Sequence, residues 1–136
     1  MPDEPIVVAI RSDADIVTAR QQGRALAEGH GFSGTDLTFI ATAISEIARN
    51  IVTYAGVGVM TLRASANGSK PGITVIAEDD GPGVADIALA MQDGFSTKNS
   101  LGLGLPGCRR LMDLFEITSA PGAGTTVTME KWLKKR

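Results

Sequence analysis

Two strand-like runs, "VGVMTLRASA" (residues 57–66) and "GITVIAEDD" (72–80), are joined by "NGSKPG", a segment built from turn residues. This pattern predicts a hairpin in the middle of the chain. It constrains the fold more than any other feature. A hairpin commits its two strands to antiparallel pairing, whereas a strand–helix–strand crossover makes parallel ones.

The elements on either side agree. "PIVVAIR" (5–11) is β-branched and reads as a strand. Asp13 is placed to cap a helix over about 14–28, which Gly29 and Gly31 end. Ser33 or Thr35 opens the strongest helix. Its apolar stripe is Ile40, Ile44, Ile47 and Ile51, spaced by four, three and four, and it stops near Tyr54-Ala55-Gly56. After the hairpin, "DDGPGV" breaks the strand and "VADIALAMQDG" reads as a short helix ended by Gly94. No periodicity returns until about Leu105. "PGCRRLMDLF" (106–115) reads as a helix with Pro106 in its first turn. "EITSA" and "TTVTMEKWL" are strands around "PGAG", and Lys134-Lys135-Arg136 is expected to be a solvated tail.

The order β-α-α-β-β-α-loop-α-β-β predicts an α+β fold. The expected form is a two-layer α/β sandwich, with helices on one face of a mixed, mostly antiparallel sheet. At 136 residues, the whole of 1–136 is expected to form one domain. Aromatic residues are only 4% of the chain, so the core must rest on Ile, Val, Leu and Ala. A net charge of -2 without a basic stripe gives nucleic acid no electrostatic footing. Cys108 is the one cysteine and His30 the one histidine, so neither an internal disulfide nor a zinc cluster is available. The N-terminus has no long apolar run and reads as neither signal peptide nor membrane span, so a cytoplasmic protein with no membrane partner is expected.

Gly102-x-Gly104-x-x-Gly107 spells a dinucleotide-binding fingerprint. Such a turn needs a strand before its first glycine and an acid ending the next strand, roughly 20 residues on. Here "STKNS" precedes it, and the next strand ends near Ser119-Ala120-Pro121. The glycine loop of ordinary protein kinases fails too, because its catalytic motifs must follow and only 29 residues remain after Gly107. What survives is physical. Closely spaced glycines let backbone N–H groups approach an anion, and the helix starting near Leu105 adds its N-terminal dipole. A plain glycine hinge before a helix is the alternative.

Three further constellations stand out. Glu46 and Asn50 lie at i and i+4 on one helical face, beside the isoleucine stripe. Asn offers Mg²⁺ a neutral oxygen, and Glu can orient or deprotonate an attacking hydroxyl. The same residues also read as an exposed polar pair, with Glu46 and Arg49 as a weak ion pair. Asp79-x-Gly81-x-Gly83 ends an apolar strand, where a carboxylate can accept a hydrogen bond from an exocyclic amine such as that of adenine. A tight turn with an acidic corner is the alternative. Gly124-Thr125 enters the last strand and by itself reads as a turn.

In this order and spacing, E-x-x-x-N, D-x-G-x-G, G-x-G and G-T resemble the GHKL ATPase/kinase superfamily, the Bergerat ATP-binding fold of gyrase, Hsp90, MutL and histidine-kinase catalytic domains. The resemblance runs from about residue 33 to residue 133. The length, and the wording of "SEIARNIVTYAG", "IAEDDGPGVADIALAMQDGFST" and "LGLGLPGCRRLMDLFEI", are similar to the bacterial anti-sigma-factor serine/threonine kinases. That resemblance implies Mg²⁺ and ATP as cofactors. It implies Glu46 as general base or water-positioning carboxylate, Asn50 as the Mg²⁺ ligand, and Asp79 at the adenine amine, with Gly81 and Gly83 shaping the base pocket. The ATP lid would run from Ser96 to Leu105, with Thr97 in it and Gly102, Leu103 and Gly104 at the phosphates. Thr125 would sit near adenine. Lys98 is a further candidate for phosphate contact. The implied partners are a STAS-domain antagonist or scaffold and the N-terminal region of a PP2C-type phosphatase, with a second copy of the chain as another candidate. A weakly catalytic docking switch and a direct anti-sigma factor remain alternative readings.

Overall fold

The computed structural model describes residues 4–81 and 104–133. In chain order the elements are β1 (Ile6–Ile10), α1 (Asp13–Gly29), α2 (Gly34–Asn50), a π-helical turn (Ile51–Ala55), β2 (Gly58–Asn67), β3 (Lys70–Asp79), α3 (Gly104–Leu111), β4 (Leu114–Ser119) and β5 (Thr125–Trp132). The strands form one sheet in the order β1-β2-β3-β5-β4. Every pairing among the described residues is antiparallel, so the sheet is simpler than the mixed one expected. The expected short helix before Gly94 lies outside the described residues.

The register explains the core. Val8 pairs with Met60, Met60 with Ala77, and Ala77 with Val127; Leu62 pairs with Val75 and Val75 with Met129. Cross-strand partners share a face, and all of these side chains are buried. The helices cover that face. The predicted stripe of α2 is fully inside: Ile40, Ile44, Ile47 and Ile51 are at most 2% exposed. Each such burial contributes about 1.5–3 kcal/mol. Gly23 of α1 lies directly against the Ile44 side chain, which lets α1 and α2 approach closely. The opposite face of the sheet carries Val7 and Val59, both exposed.

Three boundaries differ from expectation. The N-cap position of α1 is Ser12, not Asp13, and its own side chain makes no cap bond. Instead Asp15 reaches back from the first turn, its Oδ2 accepting from the Arg11 backbone N–H at 2.8 Å. The hairpin turn is tighter than "NGSKPG" suggests. Asn67 already faces Lys70, leaving Gly68 (φ 62°) and Ser69 as the turn. Finally, α3 stops at Leu111 rather than Phe115. The Asp113 N–H donates to the Glu130 carbonyl (2.9 Å), and Asp113 Oδ2 accepts from the Trp132 N–H (2.8 Å). Those two bonds fasten the chain to β5, and Leu114 and Phe115 enter the sheet opposite Glu130 and Met129.

One charge is built into the helix side. Lys131 is 5% exposed. Its Nζ donates to the Leu111 carbonyl at 2.7 Å, lies 3.8 Å from Asp36 and 4.0 Å from Asp113, and stands 5.2 Å from the Phe39 ring centre. It ties the start of α2, the end of α3 and β5 together.

Candidate active site

The site begins where the apolar rows of the sheet end. Along β3, β5 and β4 the inward residues are Ala77, Val127 and Ile117. Two residues further on the same face come Asp79, Thr125 and Ser119. Asp79 faces Thr125 in register, and Thr125 faces Ser119. Gly58 of β2 completes the row beside Asp79. The sheet therefore presents a polar row at one end of its helix-covered face, directly beyond a hydrophobic one.

Glycines let the neighbouring segments close on this row. A Cβ on Gly58 would fall 2.6 Å from the Glu78 carbonyl oxygen and 2.7 Å from Ile51 Cγ2, so its absence brings the π turn that follows α2 onto the sheet. A Cβ on Gly81 would lie 2.6 Å from Ala55 Cβ, which sets the chain leaving β3 against the π turn. Gly124 has φ 76°, and a Cβ there would run into the Asp79 carbonyl oxygen. Only glycine fits that position.

Asp79 Oδ1 accepts from the Gly81 backbone N–H at 2.9 Å. No other partner bonds to this carboxylate among the described residues. Ser119 Oγ donates to the Gly124 carbonyl at 2.9 Å and lies 2.8 Å from Thr125 Oγ1.

Glu46 and Asn50 stand on the last two turns of α2. Glu46 is 8% exposed, so it is not half of an exposed polar pair. The Arg49 ion pair is nevertheless present: Nη1 donates to Glu46 Oε2 at 2.7 Å. A carboxylate is buried at low cost only when it is bonded in this way. Helix α3 packs beside it. Its Cys108 thiol contacts the Ala43 carbonyl at 3.8 Å. Burial, and then the charge of Glu46, push that thiol up to about 12, so it stays neutral and unreactive. Gly107 is buried in α3, as expected for a packing glycine.

The structure thus brings Asp79, Gly81, Gly124 and Thr125 together, with the end of α2 seated on their row. Gly104 and Leu105 open α3, and Leu105 packs against the core. Gly83, Ser96, Thr97, Lys98, Gly102 and Leu103 lie outside the described residues. Ser119 and Gly58 escaped the sequence reading, because only strand register reveals them as neighbours of Asp79.

The residues present fit an adenine nucleotide with Mg²⁺. Asp79 Oδ2 is an acceptor at the edge of an apolar floor, as an exocyclic amine requires. Among the described residues there is no cluster of three or more His, Cys, Asp or Glu. A single carboxamide such as Asn50 suits Mg²⁺, which keeps its waters and takes further oxygens from phosphates.

A family model described as histidine kinase-, DNA gyrase B-, and HSP90-like ATPase matches residues 35–135, and the chain belongs to this family. Two solved structures share the fold. The RsbU and RsbW domains of a Mycobacterium tuberculosis protein superpose with TM-score 0.61 at 23% identity, covering 96% of this chain and 32% of that one. The mycobacterial sensor histidine kinase MprB gives TM-score 0.56 at 13% identity, covering 95% and 96%. Within the family the chain is a serine/threonine-protein kinase. It is 50% identical over 127 residues to the serine/threonine-protein kinase RsbT of Bacillus subtilis, which spans 93% of this chain and 96% of RsbT. The anti-sigma F factor of a Thermoanaerobacter species is 36% identical over 104 residues, 72% of this chain and 71% of that protein. No helix among the described residues is long and apolar enough to cross a membrane.

Proposed function

We propose that this kinase transfers the γ-phosphoryl group of Mg²⁺-ATP to a serine or threonine of a small STAS-domain antagonist or scaffold in the cytoplasm. Released from that scaffold, it binds the N-terminal region of a PP2C-type phosphatase and activates it. The observation that carries the catalytic part is the burial of Glu46, fixed by Arg49, on the helix that ends above the Asp79 row. A docking module has no use for a carboxylate held in that way.

In this reading Asp79 accepts from the adenine amine, while Gly81 and Gly83 let backbone lie against the base. Glu46 takes the proton of the substrate hydroxyl as its oxygen bonds to the γ-phosphorus. The bond from that phosphorus to the bridging oxygen breaks, and ADP leaves. Asn50 would hold Mg²⁺, which would supply positive charge against the phosphates. Backbone N–H groups at Gly102, Leu103 and Gly104, with Ser96, Thr97 and Lys98, would face the phosphates, and the start of α3 adds its positive dipole end. Thr125 belongs to the base edge.

Transfer of radiolabel from ATP to a purified STAS partner tests the reading. Labelled serine or threonine on the partner is the expected outcome. No transfer to any candidate STAS protein would leave the docking role alone. The anti-sigma F relatives favour one second reading, direct sequestration of a sigma subunit. Stable co-elution with a sigma subunit, in the absence of a STAS protein, would support that reading instead.

A further inference from the structure

We infer that Ser119 fixes the direction of the Thr125 hydroxyl, so that the rim facing the base presents hydrogen-bond acceptors and selects adenine over guanine nucleotides. This rests on the reading of Asp79 as the adenine contact.

The inference follows from counting protons. Ser119 Oγ lies 2.9 Å from the Gly124 carbonyl oxygen and 2.8 Å from Thr125 Oγ1. A hydroxyl has one proton, and a carbonyl oxygen can only accept. The Ser119 proton therefore goes to Gly124, and Thr125 must be the donor in the contact between the two hydroxyls. That commits the single Thr125 proton to Ser119. Toward a ligand, Thr125 offers lone pairs.

Its neighbours do the same. Asp79, opposite Thr125 in register, presents carboxylate oxygens, which are acceptors. The Gly81 N–H, a donor at this edge, is already given to Asp79 Oδ1. The far end of the relay is also fixed. Gly124 holds φ 76° with its Cα against Asp79, so its carbonyl cannot turn away without moving the end of β3. Adenine carries an amine where guanine carries a carbonyl oxygen. Acceptors set at position 6 bond the two N–H groups of the adenine amine and repel the guanine carbonyl oxygen there. Ser119 acts through Thr125 and is a positioning residue.

The test is a set of ATP and GTP affinities for the wild-type protein and for Ser119→Ala, Ser119→Thr, Thr125→Val, Asp79→Asn and the double variant Ser119→Ala/Thr125→Val. Ser119→Ala should weaken ATP about three- to tenfold and narrow the ATP-over-GTP preference by a similar factor. Ser119→Thr, which keeps the hydroxyl, should retain the preference. Thr125→Val should narrow it alone, and adding Ser119→Ala to that background should change nothing further. If Ser119→Ala shifts ATP and GTP equally, or acts as strongly in the Thr125→Val background, the inference fails. Should Ser119→Ala not fold, the Ser119→Thr and Thr125→Val results decide. Weakened ATP binding in Asp79→Asn with Ser119→Ala silent overturns only the role of Ser119. Silence in both variants overturns the Asp79 reading beneath it.

Discussion

At the scale of single residues, the Cys108 thiol of α3 is buried beside the charge of Glu46 on α2. The thiol is held neutral by burial and by the neighbouring carboxylate, well above its usual 9.0 at about 12. The consequence for stability has a definite sign. Below about pH 9 the thiol is protonated in folded and unfolded chains alike and contributes no pH dependence. Between about 9 and 12 the unfolded thiol ionises while the folded one does not. Stability should then fall with rising pH by about 1.4 kcal/mol per unit from this group. Replacing Cys108 with alanine should remove that component from an alkaline denaturation series. At pH 8 a thiol reagent should label Cys108 only as fast as the protein opens, and labelling at the rate of a free thiol would show that the packing against Ala43 is wrong. Ser119 shows how a residue without a motif can matter. In the sequence it is one more polar residue before Ala-Pro-Gly. Gly124 and Thr125, which it bonds, lie five and six residues away and across a strand pair, which no local pattern encodes.

At the scale of elements, α2 was legible because a period of 3.6 is written in four isoleucines. The π turn after Asn50 was not. It closes on the Gly56 N–H, which donates to the Ile51 carbonyl at 2.8 Å, and nothing in "IVTYAG" marks it. Leu114 and Phe115 read as helix because they continue an apolar run from Leu111 and Met112. The bonds of Asp113 to β5 draw them into the sheet. Lys131 accounts for part of that junction. Its strong contact is the 2.7 Å bond to the Leu111 carbonyl, and the carboxylates at 3.8 and 4.0 Å neutralise its charge. Lys131→Ala should cost about 2–4 kcal/mol, because it removes the donor to the Leu111 carbonyl and the buried cation beside Asp36. Urea denaturation checks this. Lys131→Met, which keeps the packing of the stem, should cost less. An unchanged midpoint in both variants would mean that α2, α3 and β5 are joined by apolar packing alone.

At the scale of the whole molecule, the antiparallel hairpin announced the architecture, while Glu46, Asn50, Asp79 and Thr125 are the residues proposed for the site. What the sequence could not supply is which residues meet. Asp79 and Thr125 are 46 residues apart and become neighbours only through the β3–β5 register. The lid positions rest on the resemblance alone, since Ser96 to Leu103 are outside the described residues. The fold joins these parts simply. One sheet buries its apolar rows under α1, α2 and α3, and ends on that face in a polar row on which the end of α2 rests. The central claim is that this arrangement is a working phosphotransfer site with Glu46 as its base. Nucleotide binding and label transfer to a STAS partner, measured together on Glu46→Ala, test it most directly. ATP affinity should stay close to wild type, and transfer should fall at least about a hundredfold. Normal transfer by that variant would contradict it.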